Sequence, residues 1–258
     1  MKKSKKQLVA AAAAGLMVLS MGAYGSIAYL TDNEAATNTF TVGKVQIDLT
    51  EPNYPGNDDD EPKDLVPNQE VAKDPMVTNT GVNDAIVFAT VTVPVKNVTV
   101  VADDGTRGTK SPTELFWFKD ADDTAGTHVN HFNTNDWMEL AAKETYGTAD
   151  GSATTYVFAY KTALAADAKT SPLFDKVQLK NIRENEVTAG EDQKVHVRAY
   201  AIQAAEILEN DIDLTEGLTE GNLNKIYDIF LNQQGTDFDS SLKDAASSNK
   251  LNLVGGEN

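Results

Sequence analysis

Three histidines are the natural place to look for chemistry in this chain. His128-Val129-Asn130-His131 forms an H-x-x-H, and His196 is the third imidazole. Two imidazoles three residues apart can share a Zn²⁺ ion when they lie on one face of a helix. The segment around them is rich in Gly and Asn and does not read as helical, and no Glu lies between them to serve as a base. His128, His131 and His196 are therefore candidate metal ligands whose simplest reading is as exposed loop side chains. The run Asp58-Asp59-Asp60-Glu61 could gather Ca²⁺ through its carboxylates. It lacks the Gly and Glu positions of an EF-hand, and charge runs are usually solvated. Asp103-Asp104-Gly105 reads as a hairpin turn rather than a metal site. Phe116, Trp117, Phe118 and Trp137 could stack on a sugar, but aromatics at this density belong more often to a core. The expectation is no cofactor, with Zn²⁺ at the histidines and Ca²⁺ at the acidic run as the alternatives.

The sequence contains no G-x-S-x-G elbow, no G-x-x-x-x-G-K-[ST] loop, no G-x-G-x-x-G and no H-E-x-x-H. With no cysteine, disulfides, thiolate metal sites and a Cys nucleophile are excluded as well. No catalytic residue set is expected. The formal net charge of −17 argues against nucleic acid, whose phosphates demand a basic face, and against an anionic membrane surface. An apolar share of 41% is enough to bury a core in 258 residues.

The basic charge is concentrated at the start. Met1–Lys6 is positive, Leu8–Ala23 is uncharged and mostly apolar, and Ser26-Ile27-Ala28 places small residues before a cut preceding Tyr29. This is the three-part pattern of a secretory signal peptide over residues 1–28, with Ser26, Ala28 and Tyr29 at the signal-peptidase site. The retained-anchor alternative fits an Ala/Gly/Ser-rich stretch less well, so a membrane is expected only before cleavage. Cleavage would move the net charge from −17 to −21, since 18 basic residues would then face 39 acidic ones.

Elements that could position a site read mostly as strands. Val45, Ile47 and Leu49 alternate with polar residues across a strand at 39–50. An acidic, proline-rich loop follows at 51–67, then strands at 70–78, 85–93 and 95–101, with Pro94 ending or bending the third. Strands also fit 156–161, 177–182 and 195–203. In the first of these Tyr156, Phe158 and Tyr160 share one face and Val157 and Ala159 the other. In the last, Val195, Val197, Ala199 and Ala201 oppose His196, Arg198 and Tyr200. Residues 137–143 fit a short strand or a helical turn. Leu223, Ile226, Tyr227 and Phe230 form a helical stripe, with Thr219 or Asn222 as its cap. The fold class is all-β: a jelly-roll-like antiparallel β-sandwich at 29–238, with one or two short helices in loops or near the C-terminus. A flexible tail is expected at 239–258.

Ordered blocks of the sequence resemble the TasA/camelysin family. They are Ala28-Tyr29-Leu30-Thr31-Asp32 with Ala36–Gly43, then Val66-Pro67, Val71–Pro75 and Val77–Gly81, and later Lys169–Val177 and Ala199–Ala204. The blocks span most of residues 1–208, and their combination is more specific than any one alone. The resemblance implies an exported bacterial protein processed by a SipW-type signal peptidase and located in the extracellular matrix or at the cell surface. It implies a subunit of biofilm-matrix fibres that polymerises with itself, with an accessory matrix protein as a further partner. It also implies that an N-terminal strand, 29–40 here, completes the sheet of the next subunit, with Leu30, Ala36 and Phe40 as its docking side chains. The physical basis is strand addition, in which an open sheet edge offers unpaired N–H and C=O groups. Asp32, Asn33 and Glu34 make this segment only weakly apolar, so backbone bonds would carry most of the docking. Camelysin itself is described as a metalloprotease, which leaves a secreted protease as one alternative. A surface adhesin for glycan or host protein is another.

Overall fold

The computed structural model describes residues 31–33, 45–55, 65–123, 128–140, 144–146, 152–187, 193–207, 212 and 217–234. The chain divides between Leu30 and Thr31 into two units, and every described residue belongs to the second. In chain order the strands are β1 (Thr31–Asn33), β2 (Ile47–Thr50), β3 (Glu70–Ala72), β4 (Met76–Asn79), β5 (Ala85–Val98), β6 (Ser111–Glu114) and β7 (Phe116–Lys119). They continue with β8 (Trp137–Glu139), β9 (Glu144–Tyr146), β10 (Ser152–Tyr160), β11 (Lys176–Leu179) and β12 (His196–Gln203). Two helices follow, α1 (Ala204–Ile207) and α2 (Glu220–Gln234).

The fold is all-β, as its sequence indicates, and every strand pair is antiparallel. The main sheet runs β1-β12-β5-β10-β8, with β6 added to β5 and β9 to β10. A smaller sheet runs β3-β11-β7, and β2 pairs with β4. Central β5 is buried on both faces, which is why its sequence is almost continuously apolar. Val87, Ala89, Val91 and Val93 point into a core shared with Ile47, Val77, Phe118 and Val177 of the smaller sheets. Ile86 and Phe88 point the other way, into a second core beneath α2. The same alternation sorts β10, placing Tyr156 and Phe158 in the first core and Val157 and Ala159 in the second. In β12 it sends Ala199 and Ala201 one way and Tyr200 and Ile202 the other. The main sheet thus carries the small sheets on one face and a helix on the opposite one.

Helix α2 forms because its apolar stripe meets that second face. Leu223, Ile226, Tyr227 and Phe230 are all buried there. Its start is capped by Thr219, whose Oγ1 accepts from the Asn222 N–H at 3.3 Å.

Two sequence expectations need correction. Pro94 does not end a strand, because β5 runs through it for 14 residues. The Pro94 C=O accepts from the Leu115 N–H at 3.0 Å. In extended backbone a residue's N and O point to the same side, so the missing N–H faces that same edge. There the β12 ladder has ended, at His196↔Thr92, and the β6 ladder begins at Glu114↔Val95. Proline is tolerated where no ladder donor is required. Second, the strand expected at 70–78 is two strands in two different sheets. The chain crosses between them at Lys73-Asp74-Pro75, where Asp74 accepts from the Asn53 N–H at 2.8 Å and from Asn53 Nδ2 at 2.7 Å. Lys73 anchors the same turn through Glu51 Oε2 at 2.7 Å. Of the two readings open for 137–143, the short strand is the one observed, at Trp137–Glu139 paired with β10; residues 141–143 lie outside the described residues. Of the strand expected at 39–50, residues 47–50 form β2; residues 39–44, the acidic run 58–61 and the tail at 239–258 lie outside the described residues.

Candidate functional site

One end of the main sheet brings the N-terminal segment and a late strand together. β12 pairs with β5 along its full length, from His196↔Thr92 to Gln203↔Ala85. Its alternate side chains are locked into both cores, so its outer edge is held rigidly. β1 lies on that edge, with Thr31↔Ile202, Asp32↔Ala201 and Asn33↔Tyr200 in register. Thr31–Asn33 belongs to the segment 29–40 singled out in the sequence. The signal-peptidase residues Ser26, Ala28 and Tyr29 lie outside the described residues, as do Leu30, Ala36 and Phe40. A three-residue ladder holds only a few backbone bonds, each worth about 1 kcal/mol net. A sheet edge of this kind can in general accept a strand from another chain.

Among the described residues the three histidines are not gathered at one metal site. His128 Nε2 lies 3.7 Å from Asp103 Oδ1, and His131 Nε2 lies 3.3 Å from Asp123 Oδ1. The H-x-x-H is irregular chain, so the two rings face different carboxylates. His196 is on β12, where burial and then the charges of Lys73, Arg198 and Lys194 push its pKa down to about 4. Its Nε2 is buried and has no hydrogen-bond partner among the described residues. Those residues contain no group of three or more His, Asp or Glu side chains placed to hold a metal.

Asp103-Asp104-Gly105 is the turn expected. Gly105 has a φ of 84°, its N–H donates to the Ala102 C=O at 2.9 Å, and Asp104 Oδ1 accepts from the Thr106 N–H at 2.8 Å. That bond holds the Asp104 carboxyl below its usual range. Phe116, Phe118 and Trp137 are core side chains, and Trp137 Nε1 donates to the Ser171 C=O at 3.1 Å. They offer no stacking platform.

A polar cluster that the sequence did not reveal sits between the layers. The Tyr156 hydroxyl donates to the Glu114 carboxylate, 2.9 Å from each oxygen, and accepts from Asn130 Nδ2 at 3.2 Å. Burial first, then the Glu114 charge, push the Tyr156 hydroxyl far above its ordinary range. Lys180 follows β11, is only 6% exposed, and places Nζ 3.6 Å from the centroid of the Trp117 ring. Burial lowers its pKa to about 8, and the Glu114 charge opposes the shift. Glu114, Asn130, Tyr156 and Lys180 are far apart in sequence and meet only through strand pairing. No local pattern marks Lys180, which follows the alternating strand Lys176–Leu179.

Compared with family models, with characterised proteins and with solved structures, the chain matches none.

Proposed function

We propose that this protein is an exported structural subunit of extracellular matrix fibres on a bacterium. In this reading the subunits join by head-to-tail donation of the N-terminal strand, and the stacked sheets correspond to the jelly roll implied by the TasA/camelysin resemblance. The pairing of β1 with the outer edge of β12 carries the reading. Thr31–Asn33, within the segment expected to be donated, lies on the end of the main sheet through backbone bonds that a second copy could supply equally. Removal of residues 1–28 by a SipW-type peptidase frees that segment, so cleavage acts as the assembly switch. Donation from one copy to the next does not close on itself and yields an open polymer.

The test compares purified residues 29–258 with residues 41–258 by electron microscopy and sedimentation. The longer chain should form filaments and the shorter should stay monomeric. Identical monomers and identical filaments from both would overturn strand donation. The protease alternative draws no support from the described histidines, whose nearest acids differ.

A further inference from the structure

We propose that Lys119 and Asp123 are a self-modifying pair that condenses into an internal amide cross-link, with His131 as the donor that polarises the carboxyl group. The inference is independent of the fibre reading and rests on three side chains that meet at one corner of the smaller sheet. Lys119 Nζ lies 3.1 Å from Asp123 Oδ2, and His131 Nε2 lies 3.3 Å from Asp123 Oδ1. Backbone bonds hold each of the three. Lys119 is fixed by the β7–β11 ladder and by its C=O, which accepts from the Asp175 N–H at 2.7 Å. The Asp123 N–H closes a turn on the Asp120 C=O at 3.2 Å, and the His131 N–H donates to the Phe118 C=O at 2.8 Å. Of the ion pairs between described residues, Lys119–Asp123 is the most deeply buried, with side chains 4% and 9% exposed. Lys73–Glu51 is shorter, at 2.7 Å, but more exposed, at 11% and 18%. Of the other buried lysines, Lys96 sits on β5 opposite Thr113, and Lys180 rests on the Trp117 ring.

Burial costs an ion pair much of its advantage over the neutral amine and carboxylic acid. One proton passes from Nζ to Oδ2, and the net charge of the pair is unchanged. An Nε2–H of His131 donating to Oδ1 draws electrons from Cγ, and the Nζ lone pair attacks that carbon. Negative charge then gathers on Oδ1, where the same donor stabilises it. A second Nζ proton moves to the Oδ2 hydroxyl, the Cγ–Oδ2 bond breaks, and water leaves as the C=O reforms. Ammonium and carboxylate thus become one amide and one water, with no oxidant or further reactant. No reagent has to enter, because both partners are already in contact within one chain. The His131 side chain is 33% exposed, which gives the released water a short way to solvent.

The test is the intact mass of the purified, folded chain, followed by mass spectrometry of its tryptic peptides. The chain should be lighter than its residues require by one water. Trypsin should fail to cut after Lys119, and the peptide 111–143 should carry the loss, with fragmentation placing the link between Lys119 and Asp123. Lys119→Arg and Asp123→Ala should each restore the full mass. In pulse-labelled chains His131→Ala should slow the loss of water by about a hundredfold. An unaltered chain of full mass that trypsin cuts after Lys119 holds an ordinary ion pair and overturns the proposal. So does a water lost at another residue, such as Asp104 before Gly105, and an unchanged rate in His131→Ala overturns the role given to that imidazole.

Discussion

Truncating Phe230 tests whether helix α2 is part of the cooperative fold or only rests on it. Phe230 is fully buried, and its ring lies 5.7 Å from Phe88, 5.5 Å from Tyr200 and 6.0 Å from Tyr227. Phe88 is on β5 and Tyr200 on β12, so one side chain joins the helix to two neighbouring strands. Phe230→Ala removes the ring's transfer free energy and leaves a cavity that a pleated sheet cannot close, at a cost of about 3–5 kcal/mol. For a domain of this size that corresponds to a Tm lower by about 6–20 °C. Urea unfolding followed by circular dichroism is the assay, with Asp228→Ala on the exposed side of the helix as control. The midpoint should fall with an unchanged m-value, and Asp228→Ala should stay within about 0.5 kcal/mol. A loss under about 1 kcal/mol would refute the reasoning. So would amide exchange that frees α2 alone while the strands keep their protection, since the helix would then open on its own.

Asp74→Ala removes both acceptors from Asn53 and should cost about 2 kcal/mol in urea midpoints, because hydrogen bonds to a carboxylate are stronger than neutral ones. Thr219→Ala should cost about 1 kcal/mol through loss of the α2 cap, and Thr219→Ser should restore it. His196 gives a pH signature. Its folded pKa, about 4, lies below the unfolded value near 6.5, so the unfolded chain binds the proton first. Its contribution to stability is present above pH 6.5 and is lost as pH falls towards 4, by up to about 3 kcal/mol. The difference in stability between the unaltered chain and His196→Gln should slope only within that window. A pH-independent difference would show that His196 does not titrate on unfolding.

The elements legible in the sequence were those whose two faces meet different neighbours. Tyr156, Phe158 and Tyr160 could be separated from Val157 and Ala159 because one set faces the small sheets and the other faces α2. The stripe of α2 was legible for the same reason. What escaped depends on partners distant in the chain. Pro94 breaks an isolated strand pattern, yet it is harmless where one neighbouring ladder gives way to another. Lys73-Asp74-Pro75 looks like continuous strand until its carboxylate is seen holding the Asn53 turn. The Glu114–Tyr156 pair and the Lys180–Trp117 contact could not be read at all, since no local spacing encodes a meeting of β6, β7, β10 and the end of β11. The H-x-x-H spacing alone would suggest a metal pair, but its Gly/Asn-rich surroundings indicated a loop, and in irregular chain i and i+3 do not share a face.

In the proposed fibre, the segment on the edge of β12 has to serve both a folded monomer and a polymer. Within one chain β1 satisfies that edge with its own backbone. Donated to a neighbour it would make the same bonds, so exchange gains nothing from the ladder itself. The balance must come from elsewhere. In one chain, residues 34–44 tether the segment to β2, which keeps its effective concentration high and favours self-pairing. Between chains carrying −17 or more, repulsion opposes approach further. In the proposed fibre both effects would keep monomers apart until the chains are concentrated or their charge is screened.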